Sequence, residues 1–217
     1  GDNEVRGDAA NEMGIISNIH LFMFRNLNPT GLSMSITGDN LSVVDLGSDF
    51  SVVHDLILGR MHTCVSSYIG RVKCFGASEY GQLGSGNIYT IGIQANEMGD
   101  DLGFTTLGDA FNGYVTEICV GGGHSCALND QNDVKCWGKN EYGQLGQGDT
   151  DNRGDAGGEM GNHLDSIDFG TGFSPNHVVC GQEHSCAVST DGDIKCWGML
   201  IWFILCVFDG IQWNEPH

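Results

Sequence analysis

Apolar residues in the middle of the chain fall in runs of four to seven that are cut by glycine and by Asp/Asn clusters, with a spacing of two rather than of three or four. Short strands are therefore predicted, and nothing between them is long enough for an amphipathic helix. Tyr114 to Val120, His124 to Asn129 and Asp133 to Trp137 read as three successive strands. Turn chemistry places one hairpin to the residue. With Asn129 opposite Asp133, the loop is Asp130-Gln131-Asn132, and the same choice elsewhere gives Tyr68-Ile69-Gly70 and Thr190-Asp191-Gly192. The third loop residue is then Asn, Gly or Gly, which tolerate the left-handed conformation that such loops require.

Counting outward from this pair sets Cys126 opposite Cys136, Cys64 opposite Cys74 and Cys186 opposite Cys196. These are non-hydrogen-bonded sites, where Cα atoms approach to about 4.5 Å, at the short end of the disulfide range. A disulfide is the favoured reading of each pair, and it would close a loop of eleven residues and stabilise by about 2 to 3 kcal/mol. Free buried thiols are a second reading. Zinc is a third, since His62, His124 and His184 each precede a cysteine by two, but one tetrahedral site needs a fourth ligand. Cys119 and Cys180 stand one residue out of register and read as plain core residues, and Cys206 belongs to an off-pattern tail. Leu128 with Val134, and Val188 with Ile194, share the cysteine face, while Ala127 with Trp137, and Ala187 with Trp197, lie on the other. Such a hairpin must be covered on both sides.

The hairpins repeat. LGRMHTCVSSYIGRVKCFGASEYGQLGSG from Leu58, VGGGHSCALNDQNDVKCWGKNEYGQLGQG from Val120 and CGQEHSCAVSTDGDIKCWG from Cys180 align, with steps of 62 and 60 residues between their first cysteines. The linkers repeat too: ANEMGDDLGFTTLG from Ala95 matches GGEMGNHLDSIDFG from Gly157. A fixed period of this size marks stacked supersecondary units, and a few short antiparallel strands per unit are the makeup of a β-propeller blade. Along the chain this predicts a partial repeat over 1–13, an off-pattern insertion over 14–37, repeats over 38–99 and 100–161, a partial repeat over 162–198 and an off-pattern tail over 199–217. The two off-pattern stretches fit either translated non-coding sequence or a loop insertion and a divergent tail.

HSCAL, VKCWG and the following KNEYGQLGQGD together resemble the repeat of the regulator of chromosome condensation family in its cysteine-paired form. The resemblance covers roughly Leu41 to Gly198 and the first fourteen residues. It implies an all-β, seven-bladed propeller of which this chain supplies about three blades, open or incomplete, as part of a longer protein. It also implies a protein-binding platform. The family includes a guanine-nucleotide exchange factor for a small GTPase, photoreceptors, ubiquitin-ligase modules and secreted inhibitors, so the fold alone selects no activity.

Composition narrows the partner. The formal charge of −19 argues against direct binding to nucleic acid or an anionic membrane, which needs a basic patch. The same charge favours a basic or polar protein partner and a salt-sensitive encounter. The longest apolar run, Met199 to Phe208, is ten residues, about half of what a membrane-spanning helix needs. Paired cysteines favour an extracellular or secretory compartment, with a cytoplasmic or nuclear one as the alternative.

No catalytic set, cofactor or metal site emerges from the residues. The repeated histidine lacks a recurrent nucleophile and orienting group beside it, and a structural hydrogen bond to a neighbouring loop accounts for it better, as for Ser125 and Ser185. The glycine clusters open no helix and so are not phosphate cradles. The acidic loop from Asp149 to Asp155 fails the twelve-residue calcium pattern, with Arg153 at position five and Met160 at position twelve. The Arg-Gly-Asp triplets at 6–8 and 153–155 follow from the repeat, and Asn40-Leu41-Ser42 fits a glycosylation pattern that is common by chance. The expected function is a non-catalytic protein-binding scaffold, with regulation of a small GTPase by nucleotide exchange as the alternative.

Overall fold

A computed structural model describes residues 43–50, 52–109, 111 and 114–199. The partial repeat over 1–13, the insertion over 14–37, the tail from 200, Cys206, the first Arg-Gly-Asp triplet and Asn40-Leu41-Ser42 lie outside the described residues.

The described residues form three antiparallel sheets of three strands, each built from consecutive strands in the order they occur. The first blade holds β1 (Val53–Leu58), β2 (His62–Ser67) and β3 (Val72–Gly76). The second holds β4 (Val115–Val120), β5 (His124–Asn129) and β6 (Val134–Gly138). The third holds β7 (Pro175–Cys180), β8 (His184–Ser189) and β9 (Ile194–Gly198). Each first strand carries a bulge at the same place, for example between Val115 and Glu117. Beyond β3 and β6 a single antiparallel bridge, Gly76 to Ile91 and Gly138 to Arg153, marks where a further strand would pair. Among the described residues no helix is long and apolar enough to cross a membrane.

The hairpin register follows the turn chemistry. The Asn129 amide donates to the Asp133 carbonyl at 3.0 Å, and Asn132, Gly70 and Gly192 have φ of +65°, +72° and +90°. Cys126 pairs with Cys136, Cys64 with Cys74 and Cys186 with Cys196. Strand ends differ from the expectation by one residue, β6 running to Gly138 because its backbone still pairs with His124.

Both faces of the second blade are covered. Cys64, Val72 and Cys74 of the first blade pack with Val115, Ile118, Ala127 and Trp137 of the second. Cys126, Leu128, Val134 and Cys136 of the second pack with Val178 and Trp197 of the third. The cysteine face of one blade thus meets the Ala/Trp face of the next. Linkers join the repeats in step: Gly99 N–H donates to the Asp45 carbonyl and Gly161 N–H to the Thr106 carbonyl, both at 3.0 Å.

Candidate functional site

The repeated motifs converge on the two blade-to-blade seams. At the first, His62 Nε2 lies 2.8 Å from Ser125 Oγ, and Ser125 Oγ donates to the Gln82 carbonyl at 3.0 Å. Trp137 Nε1 donates to the same carbonyl, also at 3.0 Å, so both of its lone pairs are engaged. At the second seam His124, Ser185, Gln144 and Trp197 repeat the arrangement at 2.9, 3.0 and 2.8 Å. Because the serine proton is committed to a carbonyl, the histidine must donate from Nε2, and its Nδ1 is left as a bare lone pair. Nδ1 of His62 and of His124 is buried without a partner. A second proton there would have no acceptor. Burial first, and the neighbouring His124 second, hold His62 down to about 3. Burial, then His184 and Lys139, hold His124 down to about 4.

The expected structural role of these histidines is what the geometry shows, with one correction. The acceptor is a strand serine of the next blade, not a loop. The glycine three residues ahead is fixed by the same contact: a Cβ at Gly121 would collide with the His124 ring, and one at Gly181 with the His184 ring.

Gln82 and Gln144 also explain the Gly-Gln-Leu-Gly motif. Their side-chain oxygens accept from the Tyr80 and Tyr142 amides at 2.9 Å, which turns the chain so that their own carbonyls face the next blade. Glu97 and Glu159 organise the blade-top loops in the same spirit. One Glu97 oxygen accepts the amides of Gly92, Ile93 and Gln94 at 2.8 to 2.9 Å, and one Glu159 oxygen those of Gly154 and Ala156. In the acidic loop the Asp149 carboxylate takes the Arg153 guanidinium at 2.6 Å and the Asp151 amide at 3.0 Å, so its charge is spent within the loop.

The three expected cysteine pairs have Cα–Cα distances of 4.2, 4.1 and 4.0 Å, with their sulfurs at bonding distance. Cys119 and Cys180 are not plain core residues. They pair with each other across the second seam, Cα–Cα 5.4 Å. Cys119 lies on the same rung as Cys126, facing the third blade, and Cys180 meets it from the end of β7. In the first seam the equivalent positions are Ile57 and Val120, an apolar contact. Counting register within one sheet cannot find a partner supplied by the next. The sulfurs of Cys119, Cys126 and Cys180 lie within 4.8 Å of one another, and with Cys119 bonded to Cys180 and Cys126 to Cys136 this is a disulfide cluster rather than an open ligand set.

The repeated lysine was missed. Lys73 and Lys135 are buried. Lys135 Nζ donates to the carbonyls of Leu107 and Gly161 at 2.8 and 3.1 Å, and Lys73 Nζ to the carbonyl of Leu46 at 2.8 Å and to Asp49 at 3.1 Å. Burial pushes the Lys135 amine below its ordinary range. A cation recurring between a cysteine and an apolar position in VKCFG, VKCWG and IKCWG is the signal that exposes it.

Comparison with known proteins places this frame. A family model for the regulator of chromosome condensation (RCC1) repeat matches residues 115–144 and 176–199. These are regulator of chromosome condensation repeats. The chain is 32% identical over 174 residues to the ultraviolet-B receptor UVR8 of Arabidopsis thaliana, covering 79% of this chain and 32% of that protein. It is 28% identical over 151 residues to the human probable E3 ubiquitin-protein ligase HERC4, covering 70% of this chain and 13% of that protein. In fold it is similar to human WBSCR16, with a TM-score of 0.57 at 20% identity over 75% of this chain and 38% of the other. The yeast protein Prp20p gives 0.54 at 22% over 74% and 33%. The chain therefore spans about a third or less of the curated relatives it matches. Three blades of an RCC1-type propeller, rather than a closed ring, are what the described residues contain.

Proposed function

We propose that this chain is part of a non-catalytic protein-binding propeller. The observation that carries the reading is the contrast between seam and loop. Histidine, serine, glutamine and tryptophan recur at the same positions and spend their hydrogen bonds holding blades together, and the recurring lysine spends its own on the linkers. The blade-top loops they support differ, Asn87 to Gln94 being apolar and Asp149 to Asp155 acidic. Variable loops on a repeated rigid frame are where such folds place recognition. The likeness to Prp20p supports a protein ligand, since the work on that structure concerns binding to Gsp1p and histones. The cysteine pairs, read as native disulfides, fit an oxidising compartment.

Exchange of the two loops tests this. A partner recovered by photo-crosslinking from a residue in the 87–94 loop should lose binding when the 149–155 loop replaces it, with the unfolding midpoint unchanged. Binding indifferent to both loops overturns the reading. Nucleotide exchange on a small GTPase is the rival, and accelerated release of labelled GDP by the chain, with its cysteines found free by alkylation of native protein, would favour it.

A further inference from the structure

Two positions between the first and second blades break the repeat. The residue after the hairpin turn is Asp133 in the second blade and Asp193 in the third, but Arg71 in the first. In the linker that follows, Phe104 stands where the next repeat has Ser166. The two departures meet, with Arg71 Cζ 4.7 Å from the centre of the Phe104 ring. Lys73 Nζ, also near that ring at 4.6 Å, is buried and committed to Leu46 and Asp49. Arg71 is exposed, and among the described residues its guanidinium makes no hydrogen bond or ion pair beside its contact with the ring. Arg71 and Phe104 line one cleft of about 280 Å³, with Val72, Leu107 and Phe111 buried beneath and Thr106 exposed at the edge.

Stacking on an aromatic face fixes a guanidinium plane and leaves its N–H fork open to a carboxylate. A cleft of this size has room for a side chain rather than for a drug-sized molecule, whose pockets begin at about 300 Å³. We propose that this cleft binds a Glu or Asp side chain of an extended protein segment, its carboxylate held by the Arg71 guanidinium and the segment's backbone passing over Thr106. The proposal rests on the protein-binding reading and adds a site apart from the blade-top loops. The chain's charge of −19 opposes acidic ligands at a distance, but at physiological salt that field is screened beyond about 8 Å. The ligand is thus a segment with one acid at the cleft, not a run of them.

The test is a titration of the isotope-labelled chain, followed by amide and guanidinium NMR shifts, with acetyl-Gly-Phe-Glu-Gly-amide. The controls are the same peptide with Gln for Glu and acetyl-Gly-Phe with a free carboxyl terminus. Saturable shifts are expected at Arg71, Thr106 and Leu107, with at least tenfold weaker binding of the Gln peptide. Arg71→Asp installs the residue the other two repeats carry, so the frame accepts it, and it should abolish the shifts while the spectrum of the second and third blades stays unchanged. Arg71→Gln should do the same. Equal binding of the Gln peptide, absence of a saturable shift, or binding retained in both variants overturns the proposal, and tighter binding of the free carboxyl terminus overturns the choice of an acidic side chain. Failure here leaves the loop-exchange result standing, so the two readings fail separately.

Discussion

His62 and His124 each give up a proton-binding site to hold two blades together, and the cost appears on acidification. Their folded values of about 3 and about 4 lie below the ordinary 6.5, so the unfolded chain binds more protons than the folded one between those limits. Their contribution is whole above pH 6.5 and is lost as the pH falls toward the folded values, by about 1.4 kcal/mol per pH unit for each histidine. The midpoint of chemical unfolding should therefore drop between pH 7 and pH 4.5, and His124→Gln should flatten that slope by about half. An unchanged slope in the variant would refute the neutral Nε2–H form. Lys135 makes a second residue-scale prediction. Lys135→Met leaves the Leu107 and Gly161 carbonyls buried without their donor and should destabilise by about 1 to 3 kcal/mol, measured by the same unfolding. The histidine's structural role was legible because no catalytic companion recurs beside it. The lysine's was not, because a charge on an alternating strand reads as a solvent-facing position unless its repetition at an apolar site is weighed.

Each hairpin element is closed by its own cysteine pair at a separation of 10 residues, whereas Cys119 and Cys180 span 61. In the chain-entropy view the longer closure is worth about 4 kcal/mol against about 3 for the shorter. The long one also adds a covalent link from β4 to β7, two strands that otherwise meet through packing and through Glu117, whose carboxylate accepts the Val178 amide at 2.9 Å. Replacing the pair by Cys119→Ile with Cys180→Val copies the first seam, where Ile57 and Val120 stand, so packing is kept while the crosslink is removed. That double variant should expose β7 to β9 to limited proteolysis well before β4 to β6, while the parent cuts as one unit under non-reducing conditions. Simultaneous cleavage in both would show that the crosslink contributes nothing to docking the third blade. At this scale the hairpins were readable almost to the residue, since turn type fixes register. The inter-blade pair was not, since its two strands belong to different sheets and no local rule sets one beside the other.

For the whole molecule the seams run in one direction, each blade offering its cysteine face to the Ala/Trp face of the next. In the third blade that face has no cover among the described residues: Ile194 is 54% exposed where Val134 is 0%, and Val179 is 53% exposed where Cys119 is 7%. The period announced this arrangement from the sequence, because units apolar on both faces cannot stand alone, but the number of units lies beyond what three repeats can state. An apolar face of this kind seeks another blade or a second copy of itself. The 217-residue chain by itself should self-associate, its mass in size-exclusion chromatography with light scattering rising with concentration. Val179→Thr with Ile194→Lys should return it to a monomer without lowering the unfolding midpoint of the first two blades, because both positions lie outside the two buried seams. A chain that stays monomeric before substitution would mean that this face is already covered, and one that still associates after it would move the sticky surface to the opposite end, where Leu56 and Leu58 are 56% and 66% exposed.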